Sequence, residues 1–262
     1  MDLGLKDRVA LVAASSTGLG KAVALSFARE GAKLAMCART QSTLDSAAED
    51  VRRETGAEVI ARAIDVTVPH QVHEFVAEIA TQFGRLDICV ANAGGPPSKS
   101  FADTTVDDWH TAAELNLMST VYLAKETLPL MKERRWGRFI AITSVTVKQP
   151  LDGLILSNAI RTGVLGLVKS LANEYGPYNV LVNNVCPGFT ATARLNELAE
   201  TLAAKAGVSP ADIEKRWAGQ APLGRIGQPE ELANLIVFLA SERASYITGE
   251  SIAVDGGLVK GI

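Results

Sequence analysis

A chain of 262 residues, 47% of them apolar, is long enough to build one sizeable α/β core, and it carries a net charge of −3 with no basic cluster. That balance excludes a nucleic-acid binder, which needs a concentrated positive face, and no apolar run approaches the roughly 18 residues of a membrane span. The opening Met-Asp-Leu-Gly-Leu-Lys-Asp lacks the basic and apolar blocks of a signal peptide, so a cytoplasmic protein with a small-molecule partner is expected.

In chain order, residues 9–12 have the length and branching of a buried strand, and 21–29 place Ala22, Ala24, Leu25 and Ala28 on one helical stripe. Between them runs a small-residue turn, Ala14-Ser15-Ser16-Thr17-Gly18-Leu19-Gly20. Free N–H groups and the dipole at the helix start favour an anion there, and the glycines let a phosphate approach the backbone. An ordinary glycine-bearing turn is the simpler reading of that stretch alone. Strands are then predicted at 33–38, 59–65, 86–91, 138–143, 180–185 and 252–254. Helices are predicted at 44–54, 70–83, 106–134 with a break near Pro129, and 157–175. This alternation requires right-handed crossovers, hence a single-domain, doubly wound α/β fold spanning 1–262, with a parallel sheet of about seven strands. Residues 192–222 show two helical patterns without a strand and are expected to form a mobile substrate cover over the carboxyl edge of the sheet.

Cys37, Cys89 and Cys186 are far apart and lie in apolar strand-like runs, which predicts reduced core thiols. His70 and His73 stand near Glu74 and Glu78 on a polar helix start; a solvated face accounts for them, and no metal site is expected.

Several ordered pieces of the chain resemble the classical short-chain dehydrogenase/reductase family, in particular its 3-oxoacyl-carrier-protein reductases. They are Gly18-Leu19-Gly20, Asp65-Val66, Asn92-Ala93-Gly94, Asn116, Ser144, Pro187-Gly188, and the tail from Gly224 through Pro229-Glu230-Glu231 to Thr248-Gly249 and Asp255-Gly256-Gly257. The resemblance implies a Rossmann-type fold and hydride transfer between a nicotinamide and a carbonyl or alcohol substrate. It sets Asp65 and Val66 beside the adenine and makes Asn92, Ala93 and Gly94 the cofactor floor. Pro187, Gly188, Thr190 and Thr192 would then embrace the nicotinamide. It also implies that Ser144 binds the reacting oxygen, that Asn116 holds a helix kink and a water, and that the protein is a homodimer or homotetramer paired through 106–134 and 157–175.

Two departures from the family pattern stand out. Ala13 and Ala14 replace the usual Thr-Gly, a change expected to leave the turn intact with slightly altered geometry. The family's tyrosine, thirteen residues after Ser144, is Ser157 here, and its lysine, four further on, is Arg161. Ser157 also lies thirty residues before Pro187, the family's interval, and no tyrosine occurs between Tyr122 and Tyr175. A serine hydroxyl is far less acidic than a phenol at about 10, and a guanidinium with a pKa above about 12 does not relay protons. Ser157 and Arg161 nevertheless share one helix face and are retained as site residues. Lys148 and Asn158 are the nearest polar candidates for a rebuilt proton path.

At the end of the second predicted strand, an acidic residue would suit NAD. The chain has Arg39, which suits the 2′-phosphate of NADP; NAD is the alternative. Two functions follow from these residues. One is an NADP(H)-dependent oxidoreductase that reduces a 3-oxoacyl or related carbonyl through an altered site. The other is a non-catalytic dinucleotide-binding or sensing protein.

Overall fold

The computed structural model describes residues 2–261; Met1 and Ile262, the ends of the expected 1–262 domain, lie outside the described residues. Seven strands form one parallel sheet: β1 (Val9–Ala13), β2 (Lys33–Ala38), β3 (Val59–Ala63), β4 (Ile88–Ala91), β5 (Gly137–Ile142), β6 (Val180–Pro187) and β7 (Ser251–Val254). Their spatial order is β3-β2-β1-β4-β5-β6-β7. The chain winds outward from β1 in one direction and then, from β4, in the other. The carboxyl ends of β1 and β4 therefore diverge into a crevice, where open sheets of this kind bind ligands.

The inner strands are buried on both faces because helices cover both, while the edge strands β3 and β7 are half-buried. Alternate residues choose the side: Ala10 and Val12 of β1 face one core, while Val9, Leu11 and Ala13 face the other. The first core is closed by α1 (Gly18–Arg29), α2 (Gln41–Thr55) and α9 (Pro229–Ala240), with Phe27, Leu44 and Ile236 inside. The second is closed by α3 (Pro69–Phe83), α5 (Ser119–Glu133) and α6 (Ile155–Tyr175), with Phe75, Leu128 and Val168 inside. Burial of each such side chain contributes about 1.5–3 kcal/mol. The sequence pattern predicts no element at 229–240, because its run Ile-Val-Phe-Leu-Ala shows no period; the helix is apolar on nearly every side and packs against α1.

The long predicted helix breaks elsewhere than expected. α4 (Val106–Ala113) passes into a π-helical turn, Glu114–Met118, before α5, and α5 continues unbroken through Pro129. Pro129 sits on the exposed side, as does Lys125 four residues earlier, so water can satisfy the carbonyl that the proline leaves unpaired. The irregular turn centres instead on Asn116, whose buried side chain is drawn toward the loop after β4.

Residues 192–222 form α7 (Ala193–Ala206) and α8 (Pro210–Gln220), which enclose a small core of Leu195, Ala199, Ile213 and Trp217. Trp217 stacks on Phe189 with ring centres 4.8 Å apart. The hairpin is pinned where it leaves the sheet: Ala191 N–H donates to the Gly227 carbonyl at 2.8 Å, and Gly227 N–H to that of Phe189 at 3.0 Å.

At the opposite, amino edge of the sheet, charge is buried. Asp87 accepts from Val9 N–H and from Arg85. Trp136 lies between two guanidiniums, Arg8 at 3.7 Å and Arg138 at 4.2 Å from its ring, and its indole N–H donates to Glu242 at 2.8 Å.

The three cysteines are free and buried, and burial pushes their thiols up, that of Cys37 to about 12. Glu74 and Glu78 pair with Arg62, and His73 lies 2.8 Å from Glu126. Among the described residues there is no metal-binding cluster, and no helix is long and apolar enough to cross a membrane.

Candidate active site

A cleft of about 330 Å³ opens over the carboxyl ends of β1, β4, β5 and β6 and under the first turn of α7. Four of the loops leaving the sheet contribute a part. After β1 come Ala14, Thr17, Gly18, Leu19 and Gly20; after β4, Asn92, Ala93 and Gly94; after β5, Ser144; after β6, Pro187, Gly188, Thr190 and Thr192. Ser157 and Arg161 enter from α6, one helical turn apart.

The glycine loop is shaped by contact. A Cβ on Gly20 would stand 2.1 Å from the Ala14 carbonyl oxygen, so only glycine lets α1 start this close to β1. Thr17 precedes α1 in extended conformation without capping it through its side chain, and the first turn of the helix carries no acidic residue. That leaves an N-terminus ready for an anion. Ala14 has φ of 49°, in the left-handed region that favours glycine, so the alanine has preserved the turn under strain. We expect Ala14→Gly to stabilise the protein by about 0.5–1 kcal/mol, the strain relieved less the extra freedom of glycine in the unfolded chain. A thermal melt should show a rise of roughly 2 °C; an unchanged or lower midpoint would show that the turn is unstrained.

Some predicted residues stand away from the cleft lining. Ser15 is fully buried and turned to β2, its N–H donating to the Cys37 carbonyl at 3.0 Å. Ser16 and the exposed Arg39 lie beyond the lining, Arg39 at the end of β2. Asp65 accepts from the N–H and hydroxyl of Thr67 at 2.9 and 2.7 Å, shaping the turn after β3 with Val66. Asn116 lies behind the cleft, its Nδ2 donating to the Gly94 carbonyl at 2.8 Å. Asn92 holds the neighbouring turn to β1 by donating to the Ala13 carbonyl at 3.3 Å. Thr192 caps α7, accepting from Leu195 N–H at 3.3 Å.

Arg161 is almost fully buried and serves the backbone. Its Nη1 donates to the carbonyls of Ile142 and Thr143 at 3.3 and 3.1 Å, and its Nη2 to Gly94 at 3.2 Å. It thereby ties the end of β5 to the loop after β4, on the same carbonyl that Asn116 holds. Burial, and secondarily the nearby Arg194, bring its pKa down to about 10, so it remains charged at neutral pH.

Thr146 connects the two serines. Its N–H donates to Ser144 Oγ at 3.2 Å, and its hydroxyl lies 3.2 Å from Ser157 Oγ. Asn158 is spent on the turn before α6, bonded both ways to the Leu151 backbone, and Lys148 is exposed away from the lining. Sequence reasoning missed Thr146 and Arg194. The first had a signal in Ser144-x-Thr146 at a strand end, a pattern for side-chain to backbone bonding. The second, on the cover, had none.

A glycine-opened helix start at the switch point of a doubly wound sheet, with hydroxyls and a cation facing it across the crevice, defines a dinucleotide-binding α/β fold. The chain belongs to the short-chain dehydrogenase/reductase family of oxidoreductases: residues 13–259 match the family model described as enoyl-(acyl carrier protein) reductase. It is 34% identical to the 3-oxoacyl-acyl-carrier-protein reductase of Aquifex aeolicus, over 98% of this chain and all of that one. It is 32% identical to the NADPH-dependent reductase BacG of Bacillus subtilis, with the same coverage. Among solved structures, L-sorbose reductase of Gluconobacter frateurii, in complex with NADPH and L-sorbose, is 35% identical with a TM-score of 0.95, each chain covered in full.

Proposed function

We propose that the protein is an NADPH-dependent reductase of a 3-oxoacyl or related carbonyl compound, acting through Ser144, Ser157 and Arg161. The observation that carries this reading is the meeting of both serine hydroxyls and a buried guanidinium in the cleft that the glycine loop opens. NADPH-dependent relatives support the choice of cofactor, as does the exposed Arg39, whose fork suits a 2′-phosphate. In this reading the start of α1 holds the pyrophosphate, Asp65 and Val66 flank the adenine, and Asn92 to Gly94 with Pro187 to Thr192 enclose the nicotinamide. NAD would meet Arg39 without the 2′-phosphate that it suits.

The cofactor supplies the hydride. The chain's own groups prepare the carbonyl. Ser144 and Ser157 donate to its oxygen, which fixes the reacting face and disfavours competing poses. Arg161, charged and desolvated, stabilises negative charge developing on that oxygen more strongly than it would in water. The Ser157 hydroxyl, backed by that of Thr146, provides the proton; it is a weaker acid than a phenol, so slow turnover is the expected cost. Asn116 acts as a positioning residue through Gly94. The reading carries the expected assembly into a homodimer or homotetramer: Val164 and Val168 of the α6 stripe are buried within the domain, leaving Leu165 and Leu167 half-buried for a subunit face.

NADPH oxidation with 3-oxoacyl thioesters, ketones and keto sugars tests the proposal. Ser144→Ala should lower kcat about a hundredfold while NADPH still binds. A protein that binds NADPH yet oxidises it with none of these, or a Ser144→Ala variant as active as the parent, would refute it.

A further inference from the structure

The cleft presents two cationic side chains along its lining and no carboxylate. Arg161 is fixed on the floor by three backbone carbonyls. Arg194 comes from the opposite wall, in the first turn of α7. The two guanidiniums approach one point: a Cβ built on Gly95 would lie 3.9 Å from Arg161 Nη2 and 3.9 Å from Arg194 Nη2. Like charges this close repel unless an anion joins them.

Among the described residues, none supplies such an anion to the cleft lining. Arg194 gives one N–H to the Pro96 carbonyl at 3.1 Å, which steadies it over the loop after β4. Its other partner, Glu197, lies 3.5 Å away on α7, outside the lining, and both side chains of that pair are more than half exposed, so their bond is weak and screened. The fork of Arg194 thus keeps donors free toward the crevice, and its planar geometry matches a carboxylate. The phosphates of a dinucleotide have other seats, at the start of α1 and beside Arg39, whereas Arg194 reaches Pro96 and Gly95 in the loop after β4 and shares the cleft lining with Ser144 and Ser157. Leu154, Leu195 and Leu198 provide the apolar walls between.

The geometry points to Arg194 as the residue that binds a carboxylate on the substrate, so that the substrate class is a small oxo acid with its acid group free. This rests on the reductase reading and narrows it from 3-oxoacyl thioesters to related carbonyl compounds that carry a free acid. A carbonyl compound whose acid is tied up as an ester or thioester presents a neutral group to two guanidiniums and is disfavoured.

Calorimetric titration of the NADP⁺-loaded protein with acetoacetate and with methyl acetoacetate separates binding from turnover, since the oxidised cofactor reduces neither. Acetoacetate should bind at least roughly tenfold more tightly than the ester, a preference that falls with added salt. Arg194→Met should bring the ratio close to one while NADP⁺ still binds, and Arg194→Lys should keep part of it. The inference is overturned by undetectable acetoacetate binding, by equal affinity for acid and ester in the parent, or by a preference that persists in Arg194→Met. It is also overturned if that variant loses NADP⁺ as steeply as acetoacetate, which would give the arginine to the cofactor. Should Arg194→Met not fold, the parent's acid-to-ester ratio and the Arg194→Lys variant decide the matter. Failure of the NADPH-loaded protein to oxidise its cofactor with these two compounds and with every thioester, ketone and keto sugar of the wider panel would refute the reductase reading while leaving the carboxylate preference to be read from the titration.

Discussion

Arg161→Met is expected to lower the melting temperature by roughly 5–10 °C and to reduce NADPH-dependent turnover more than about a hundredfold. Three carbonyls depend on this side chain, and only that of Gly94 has a second donor, Asn116, at hand. Methionine fills much of the volume but offers no N–H, so the carbonyls of Ile142 and Thr143 each lose a bond in a dry environment, at about 1–3 kcal/mol apiece. Part of that loss is offset because the variant no longer buries a charge. The sign of the offset follows from the pKa: folding lowers it from the ordinary guanidinium range to about 10, so in the parent the desolvation cost is present in full below about pH 10 and is relieved as pH rises above that toward the ordinary value. The stability gap between parent and variant should accordingly widen at the alkaline end of that window. Differential scanning calorimetry across pH 7 to 11 measures it. A melting temperature within a degree of the parent at neutral pH would mean that the carbonyls do not depend on Arg161.

Gly20→Ala should weaken NADPH binding by more than about a hundredfold, about 3 kcal/mol, with the sheet intact. A single methyl is enough because it would lie 2.1 Å from the Ala14 oxygen and 2.8 Å from the carbonyl carbon, backbone atoms that no rotamer change moves aside. The loop must open, and Ala14 already occupies a strained conformation with little room for further adjustment. Opening it swings the first-turn N–H groups off the phosphate position. Gly219 in α8, where an added Cβ meets nothing within 4 Å, provides the matched control: Gly219→Ala should leave NADPH affinity unchanged. Fluorescence titration with NADPH compares the two, and wild-type affinity in Gly20→Ala would remove the glycine loop from the cofactor site.

Much of this arrangement was legible in the residue order. Strands buried on two faces read as continuous apolar runs, and those at 9–12 and 33–38 emerge with almost the predicted bounds. The glycine loop and the alternation of strands and helices place the crevice, because the crossover rule leaves few topologies. What sequence left unread depends on distant partners. The break at Asn116 requires the Gly94 carbonyl twenty-two residues away, and proline, a local signal, pointed to the wrong turn. The pairing of Ser144 with Ser157 through Thr146 joins a strand end to a helix, which no local period encodes. Arg161 had a position in sequence, but its attachment to two strand ends exists only once β4 and β5 lie side by side.

The sandwich of Trp136 between Arg8 and Arg138 and the stack of Trp217 on Phe189 sit at opposite ends of the sheet. Of the three tryptophans, these two therefore serve as intrinsic optical reporters with different subjects, while Trp109 in α4 lies against Phe101 and belongs to neither. The emission of Trp136, clamped between cations beside Glu242, changes when the amino edge comes apart and so follows global unfolding. Trp217 sits in the small core of the hairpin, stacked on Phe189, and its emission reports any rearrangement of that core. With Trp109 replaced by phenylalanine, one spectrum resolved into these two components distinguishes a variant in which the hairpin has rearranged from one that has lost its fold.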